Sequence, residues 1–342
     1  MIEETINEQI PVKRQRVYYL DNLCGVLILY IIFGYHLADK AAVVKSELFE
    51  TLNSILYFFM SWFFFKAGMF HKEQTLRKTV TECCSRLLVP FLLFNIVGWI
   101  VDVIETVVKH NYRTPLGYIT RPFYELYTFE SSVCNGALWF LFSLFIIKFL
   151  SYYLLRNRRL LLTIVFFATS AFLLGGVTVL PNKLLTLCWV GNICYGMAFY
   201  GLGYILKEKQ YKRFIFLFSM IVYMMHFFFP VIIDVRTNQS NNYILNFVFC
   251  LAGIIFSNNL FRDCFNYKIP IISYVGRHSM TFYVTHFVFI YTLFIVFENI
   301  QGYFSRWEIY IYFSILVSIF LMIMDLLFNH TRLRWMVGER KT

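Results

Sequence analysis

The chain has 342 residues, 59% of them hydrophobic, 20% aromatic and only 15% charged, with a formal net charge of +11. A soluble domain carries about 25% charged residues, so this composition excludes an ordinary water-soluble enzyme. The basic residues flank apolar runs and do not gather in one patch, which argues against nucleic acid as the partner.

Apolar runs of about 20 residues recur along the chain, each long enough to cross roughly 30 Å of hydrocarbon. Runs of that length in lipid must be helical, because bare backbone groups find no water there. Ten are predicted, over about 17–37, 49–70, 86–108, 137–155, 160–180, 187–206, 214–234, 243–261, 278–298 and 308–329. The fold class expected is all-α, a polytopic integral membrane protein of about ten transmembrane helices. No Pro/Ser-rich linker and no clean repeat divides it, so residues 1–342 read as a single domain. The first run is too long for a signal peptide and lacks a small-residue cleavage site. With the amino terminus placed in the cytoplasm, alternate connections hold 20 Lys plus Arg inside against 8 outside. This is the positive-inside asymmetry, and it predicts both termini in the cytoplasm.

The first predicted helix, in KRQRVYYLDNLCGVLILYIIFGYH, contains Asp21 in its first turn and ends on His36. A carboxylate at a helix start is commonly a capping or dipole-matching residue. An imidazole inside a span points to function, since burial there costs free energy without a partner or a task. Arg16 lies about 30 Å from His36, at the opposite membrane face. Lys66 and Lys148 lie near cytoplasmic helix ends, where their side chains can reach water. Arg86 opens the third span in SRLLVPF, Asp102 and Glu105 end it, and Asp234 follows later; water at the outer face accounts for these carboxylates. Residues 109–136 form the one long connection, read as a solvated outer loop with interfacial aromatics or as a surface that stacks on sugar rings. His226 lies mid-span, and His286 follows GRHS in the ninth span. The eight cysteines show no CxxC pair and no metal-ligand spacing, so neither a disulfide nor a metal is expected. No phosphate-cradling glycine loop, nucleophile elbow or zinc-hydrolase helix is present. An enzyme built this way needs a site between its spans.

Five segments, in order, resemble the acyltransferase-3 family of integral membrane acyltransferases, in particular its polysaccharide O-acetylases. They are LDNLCGVLILYIIFGYH, FFMSWFFFKAGMFHK, SRLLVPF, NGALWFLFSLF and YVGRHSMTFYVTH. The chain departs from the family pattern where an arginine is usual in the opening helix, at Cys24 and Gly25, and where a first arginine precedes Arg86, at Cys83.

The resemblance implies transfer of acetyl from cytosolic acetyl-CoA, as co-substrate, to a hydroxyl of a surface polysaccharide or lipid-linked glycan at a bacterial inner membrane. It implies His36 as general base or nucleophile, with Asp21 and His286 as further catalytic candidates. Arg86, Arg16 and Lys78 become candidates for the CoA phosphates, and Trp139, Ser279 and Tyr283 for the substrate. The competing expectation is a glycan transporter or a non-catalytic part of an export complex, since intramembrane His and Asp can relay protons. The paired, Gly/Pro-broken helices common in transporters are not visible in the sequence.

Overall fold

The computed structural model describes residues 17–155, 160–176, 188–207, 213–231 and 233–338. Helix α1 (Tyr18–Leu29) runs directly into a π-helical stretch, Tyr30–Leu37. Helices α2 (Glu47–Leu56) and α3 (Phe59–Met69) are separated only by Tyr57 and Phe58. A 33-residue rod follows, made of α4 (Leu76–Cys83), a second π stretch (Cys84–Leu88) and α5 (Val89–Val108). Its break has a local cause. Pro90 has no N–H, and its ring clashes with the carbonyl four residues back, which is that of Arg86. The helix therefore slips to wider π turns across Arg86.

Helix α6 (Pro115–Phe129) starts on a Thr114 cap, whose side chain accepts from Gly117 N, and ends at Glu130 in the left-handed region (φ 59°). The remaining helices are α7 (Trp139–Leu154), α8 (Leu160–Gly176), α9 (Cys188–Leu206), α10 (Arg213–Met225), α11 (Tyr243–Cys264), α12 (Pro270–Arg277), α13 (Ser279–Val296) and α14 (Arg306–Asn329). A capping box of Ser305 and Glu308 starts α14. Strands β1 (Ile233–Asp234) and β2 (Gln239–Ser240) pair antiparallel between α10 and α11, with Ile233 opposite Ser240.

Among the described residues, seven helical stretches are long and apolar enough to cross a membrane, and α8 and α10 are shorter apolar helices. Phe166, Phe214, Ile319 and Met322 are exposed on their outward faces, as expected of side chains that meet lipid. The molecule is a multi-pass integral membrane protein. We call the side where α1 begins the near side, and the side reached by the π stretch that continues it, at His36, the far side.

Three expectations change. The run at 214–234 ends as a helix at Met225, because Pro230 cannot continue one and the hairpin follows. The connection at 109–136 is not an open loop. Its helix α6 exposes Leu116, Ile119, Phe123 and Tyr127 along one stripe and turns Arg121 and Glu125 inward. Nor does water account for Asp102, which is 6% exposed. Its carboxylate takes both guanidinium nitrogens of Arg113 and also meets Arg121 at 3.3 Å.

Close helix crossings hold the bundle together. At α3 and α9, a Cβ on Gly68 would strike the Tyr200 carbonyl, and one on Gly203 would strike the Phe65 carbonyl. At α1 and α12, Gly25 and Gly276 stand in the same reciprocal relation to the carbonyls of Ile272 and Asp21. Small residues that let backbones touch are the usual means of packing helices in lipid. The second crossing also explains a departure from the family pattern. An arginine at position 25 would push α1 off α12, and Cys24 beside it is fully buried. Gly203→Leu is expected to lower stability by about 1–3 kcal/mol or more, since the obstruction is backbone that cannot swing aside. Thermal unfolding of the purified protein in detergent measures this, and an unchanged midpoint would contradict the crossing.

Candidate active site

The far-side end of α1 opens into a cavity of about 300 Å³ whose lining includes His36, Asp39, Trp139, Arg236, Tyr283 and Phe287. His36 lies in the π stretch, where Gly34 leaves room for the Tyr30 ring and Tyr30 in turn donates its hydroxyl proton to Asn53. π turns inside helices are frequent at functional sites. His36 Nδ1 is 2.8 Å from Nε2 of His286, with the rings stacked 5.0 Å apart. The edge of the Phe287 ring closes on His36 at 4.8 Å.

The hydrogen bonds set the tautomers. His286 Nδ1 lies 2.8 Å from the Tyr283 carbonyl and 3.1 Å from that of Phe282, and a carbonyl only accepts. His286 therefore carries its proton on Nδ1 and presents a lone pair at Nε2. That lone pair accepts from His36 Nδ1–H, which leaves the lone pair of His36 on Nε2. The pair is consequently not symmetric. Both nitrogens of His286 are committed, whereas His36, which lines the cavity, keeps a basic nitrogen.

The other sequence candidates fall into three groups. Trp139 and Tyr283 line the same cavity, and Tyr283 donates its hydroxyl proton to the Ala137 carbonyl. Ser279 lies seven residues before His286 on α13, about 10 Å along the helix, and Asp21 lies at the near-side start of α1, more than 20 Å from His36. The fold does not bring either of these to His36. Arg16 lies outside the described residues.

On the near side, Arg86 lines a second cavity of about 300 Å³ with His71, Lys72, Gln74, Lys148 and Tyr200. Lys148, expected to reach water at a helix end, instead faces this cavity. The turn that follows α3 places His71, with Nδ1 2.8 Å from the Tyr200 hydroxyl. Burial pushes the His71 imidazole below its ordinary value, and Lys148 and Lys207 add to this while Glu73 opposes it. Lys78 lines a separate recess with Arg77, and Glu82 borders both spaces. Gly338 (φ 75°) packs on the Arg86 backbone, so the last described turn fastens the π stretch from outside.

Asp102, Glu105 and Cys134 bring their ligand atoms within 4.8 Å of one another. Arg113 and Arg121 pair with Asp102, and Lys109 pairs with Glu105 at 3.1 Å, so the cluster reads as an ion-pair network.

Sequence reasoning missed Arg236, which counted only as one positive charge in a short outer connection. Its signal was its isolation: it is the only Lys or Arg between Arg213 and Arg262.

No curated protein and no solved structure matches the chain. Residues 17–324, from the start of α1 to within α14, match the family described as Acyltransferase domain, and with its imidazole pair at one end and basic cavity at the other the chain belongs to the acyltransferase-3 family of membrane acyltransferases.

Proposed function

We propose that the protein is an O-acetyltransferase that moves acetyl from cytosolic acetyl-CoA to a hydroxyl of a surface polysaccharide or lipid-linked glycan, with His36 as general base. The observation that carries this reading is the hydrogen-bonded pair that leaves the lone pair of His36 on Nε2, in a residue that lines a cavity on the side opposite the basic one. In this reading the chain spans a bacterial inner membrane ten times and both termini are cytoplasmic, so the near side is the cytosol.

The near-side cavity suits the donor. Arg86, Lys72 and Lys148 present cationic donors to the CoA phosphates, and a guanidinium binds phosphate oxygens two at a time. On the far side, the acceptor hydroxyl bonds to His36 Nε2, which takes its proton as the oxygen attacks the thioester carbonyl. The tetrahedral intermediate collapses, the C–S bond breaks, and the departing thiolate recovers the proton from Nε2. His286 holds the imidazole in orientation throughout and accepts from Nδ1–H before and after the proton moves. A positioned base of this kind contributes about 10²–10⁴-fold. The aromatic walls at Trp139 and Phe287 suit the apolar faces of sugar rings.

His36→Ala is expected to lower the transfer rate by about 10²–10⁴-fold in a protein that still inserts and folds. Mass spectrometry of surface glycans, from cells lacking the protein and restored with wild type or variant, measures this. An acetyl-sized mass restored equally by both would remove His36 from the chemistry. Unchanged acetylation with less glycan at the surface would favour a transporter. His286→Ala should also lower kcat, by less than His36→Ala, because it releases the tautomer but leaves the base. A loss equal to or larger than that of His36→Ala would reverse the two roles.

Arg86→Ala is expected to raise KM for acetyl-CoA at least tenfold, about 1.4 kcal/mol of binding, with kcat little changed. Initial rates against acetyl-CoA concentration in membrane vesicles test it, and an unchanged KM would remove Arg86 from the donor site.

A further inference from the structure

We infer that Arg236 is a further catalytic residue of the far-side cavity, its guanidinium donating N–H bonds to the acyl carbonyl oxygen as negative charge builds there. This rests on the acyl-transfer reading above and adds to it the electrophilic half of the site.

The chemistry requires such a group. When the acceptor oxygen adds to the thioester carbon, the carbonyl π pair moves onto oxygen, and it returns when the C–S bond breaks. His36 takes the acceptor's proton and returns it to the leaving thiolate, and His286 orients it, but neither places a donor on that oxygen. Of the three substrate candidates, Tyr283 gives its hydroxyl proton to the Ala137 carbonyl, and Ser279 does not line the cavity. Trp139 offers one neutral N–H. Among the described residues two cations line the cavity, Lys40 and Arg236. Lys40 is exposed and places its ammonium over the Tyr291 ring at 4.8 Å. Arg236 is half-buried in the wall and carries five N–H donors in a fixed plane.

Its placement near His36 can be traced through shared neighbours. A Cβ on Gly136 would lie 3.2 Å from Arg236 Nη1 and 3.5 Å from the Phe287 ring, and that ring packs edge-on against His36. A side chain at position 136 would fill the space the guanidinium uses.

The mounting is rigid. Arg236 occupies the turn between β1 and β2, where its N–H donates to Asp234 Oδ1 at 3.0 Å and its carbonyl accepts from Asn192 Nδ2 at 3.0 Å. Two residues on, Asn238 is 1% exposed and plugs the hairpin into α8 by donating to the Ala171 carbonyl. Nη2 of Arg236 donates to Ser131 Oγ at 3.3 Å. Behind it stands the buried carboxylate of Glu130, which accepts from Asn192 Nδ2 at 2.8 Å and from Ser143 at 3.2 Å. Burial draws the Arg236 guanidinium below its ordinary value, and Glu130 and Asp234 oppose that shift. Donors fixed before the reaction, in a site shielded from bulk water, are those that stabilise a developing oxyanion most. Glu130 and Asn192 act through Arg236 and are positioning residues.

The test uses membranes containing the full chain, radiolabelled acetyl-CoA as donor and the glycan fraction of the same cells as acceptor. Wild type, His36→Ala, Arg236→Ala and Arg236→Lys are compared. Arg236→Ala is expected to lower kcat about 10²–10³-fold, the usual effect of removing one such donor, with KM for acetyl-CoA unchanged. Added guanidinium should restore part of that rate in Arg236→Ala and none in His36→Ala, and Arg236→Lys should retain an intermediate rate. A kcat within a few-fold of wild type, or a loss that guanidinium does not repair, overturns the assignment of Arg236 and leaves the acyl-transfer reading standing. A wild type that transfers no label overturns both. If Arg236→Ala fails to accumulate in membranes, Gly136→Ala carries the test. Its methyl displaces Nη1 by a few tenths of an ångström, so kcat should fall at an unchanged melting temperature, and an unchanged kcat overturns the proposal.

Discussion

The bond from His286 Nδ1 to the carbonyls one turn before it decides the character of the far-side cavity. Those carbonyls have no proton to give, so the imidazole must donate, and the choice passes through Nε2 to His36. Two neutral histidines in contact could otherwise share either arrangement. Here the helix backbone removes the choice without any carboxylate, which would bring a further charge into the bilayer at considerable desolvation cost.

The sequence made the scaffold largely legible. A predicted apolar run falls in each of the seven described helical stretches long enough to cross a membrane, because a bilayer imposes both length and helicity on a spanning segment. His36 and Arg86 also stood out, being ionisable groups next to long apolar runs. What remained hidden depends on distant pairing. Nothing along the chain brings His36 to His286, 250 positions later, or turns the Arg236 hairpin into the same cavity. The stripe of Leu116, Ile119, Phe123 and Tyr127 was present in the sequence, but the mixed charge around it read as a loop. Those charges prove to be the paired inner face of a helix, fixed by Asp102, Arg113 and Arg121. Asp21 is the opposite case. It shares a helix with His36, yet the length of the span places it at the other membrane face.

The two π stretches are related by more than their shape. Each interrupts a spanning helix where an ionisable residue meets a cavity, at His36 on the far side and Arg86 on the near side. At Arg86 the cause is in the sequence, since Pro90 stands four residues on. At His36 the accommodating feature is Gly34, whose missing side chain makes room for the Tyr30 ring. A regular helix places its residues at fixed angles, and a wider turn gives one residue a different bearing without ending the span.

What lies between the cavities constrains which substrate can travel. Tyr283, on the far-side wall, packs on Phe140, and Phe140 packs on Phe64. Phe64 meets Ile147 over Gly196, and the next residue, Lys148, lines the near-side cavity. The side chains along this line are aromatic and aliphatic. A sugar crossing it would give up the hydrogen bonds of each hydroxyl, at roughly 2–7 kcal/mol for each one left unpaired. In the acyl-transfer reading proposed above, the acyl thioester itself is slender and carries no hydrogen-bond donor, although the arm behind it carries amides. The charged end of the donor would meanwhile remain where Arg86, Lys72 and Lys148 offer counter-charges. In the proposed reading, that line of side chains fits a donor anchored on the near side whose reactive end moves toward His36, and an acceptor that stays at the far face.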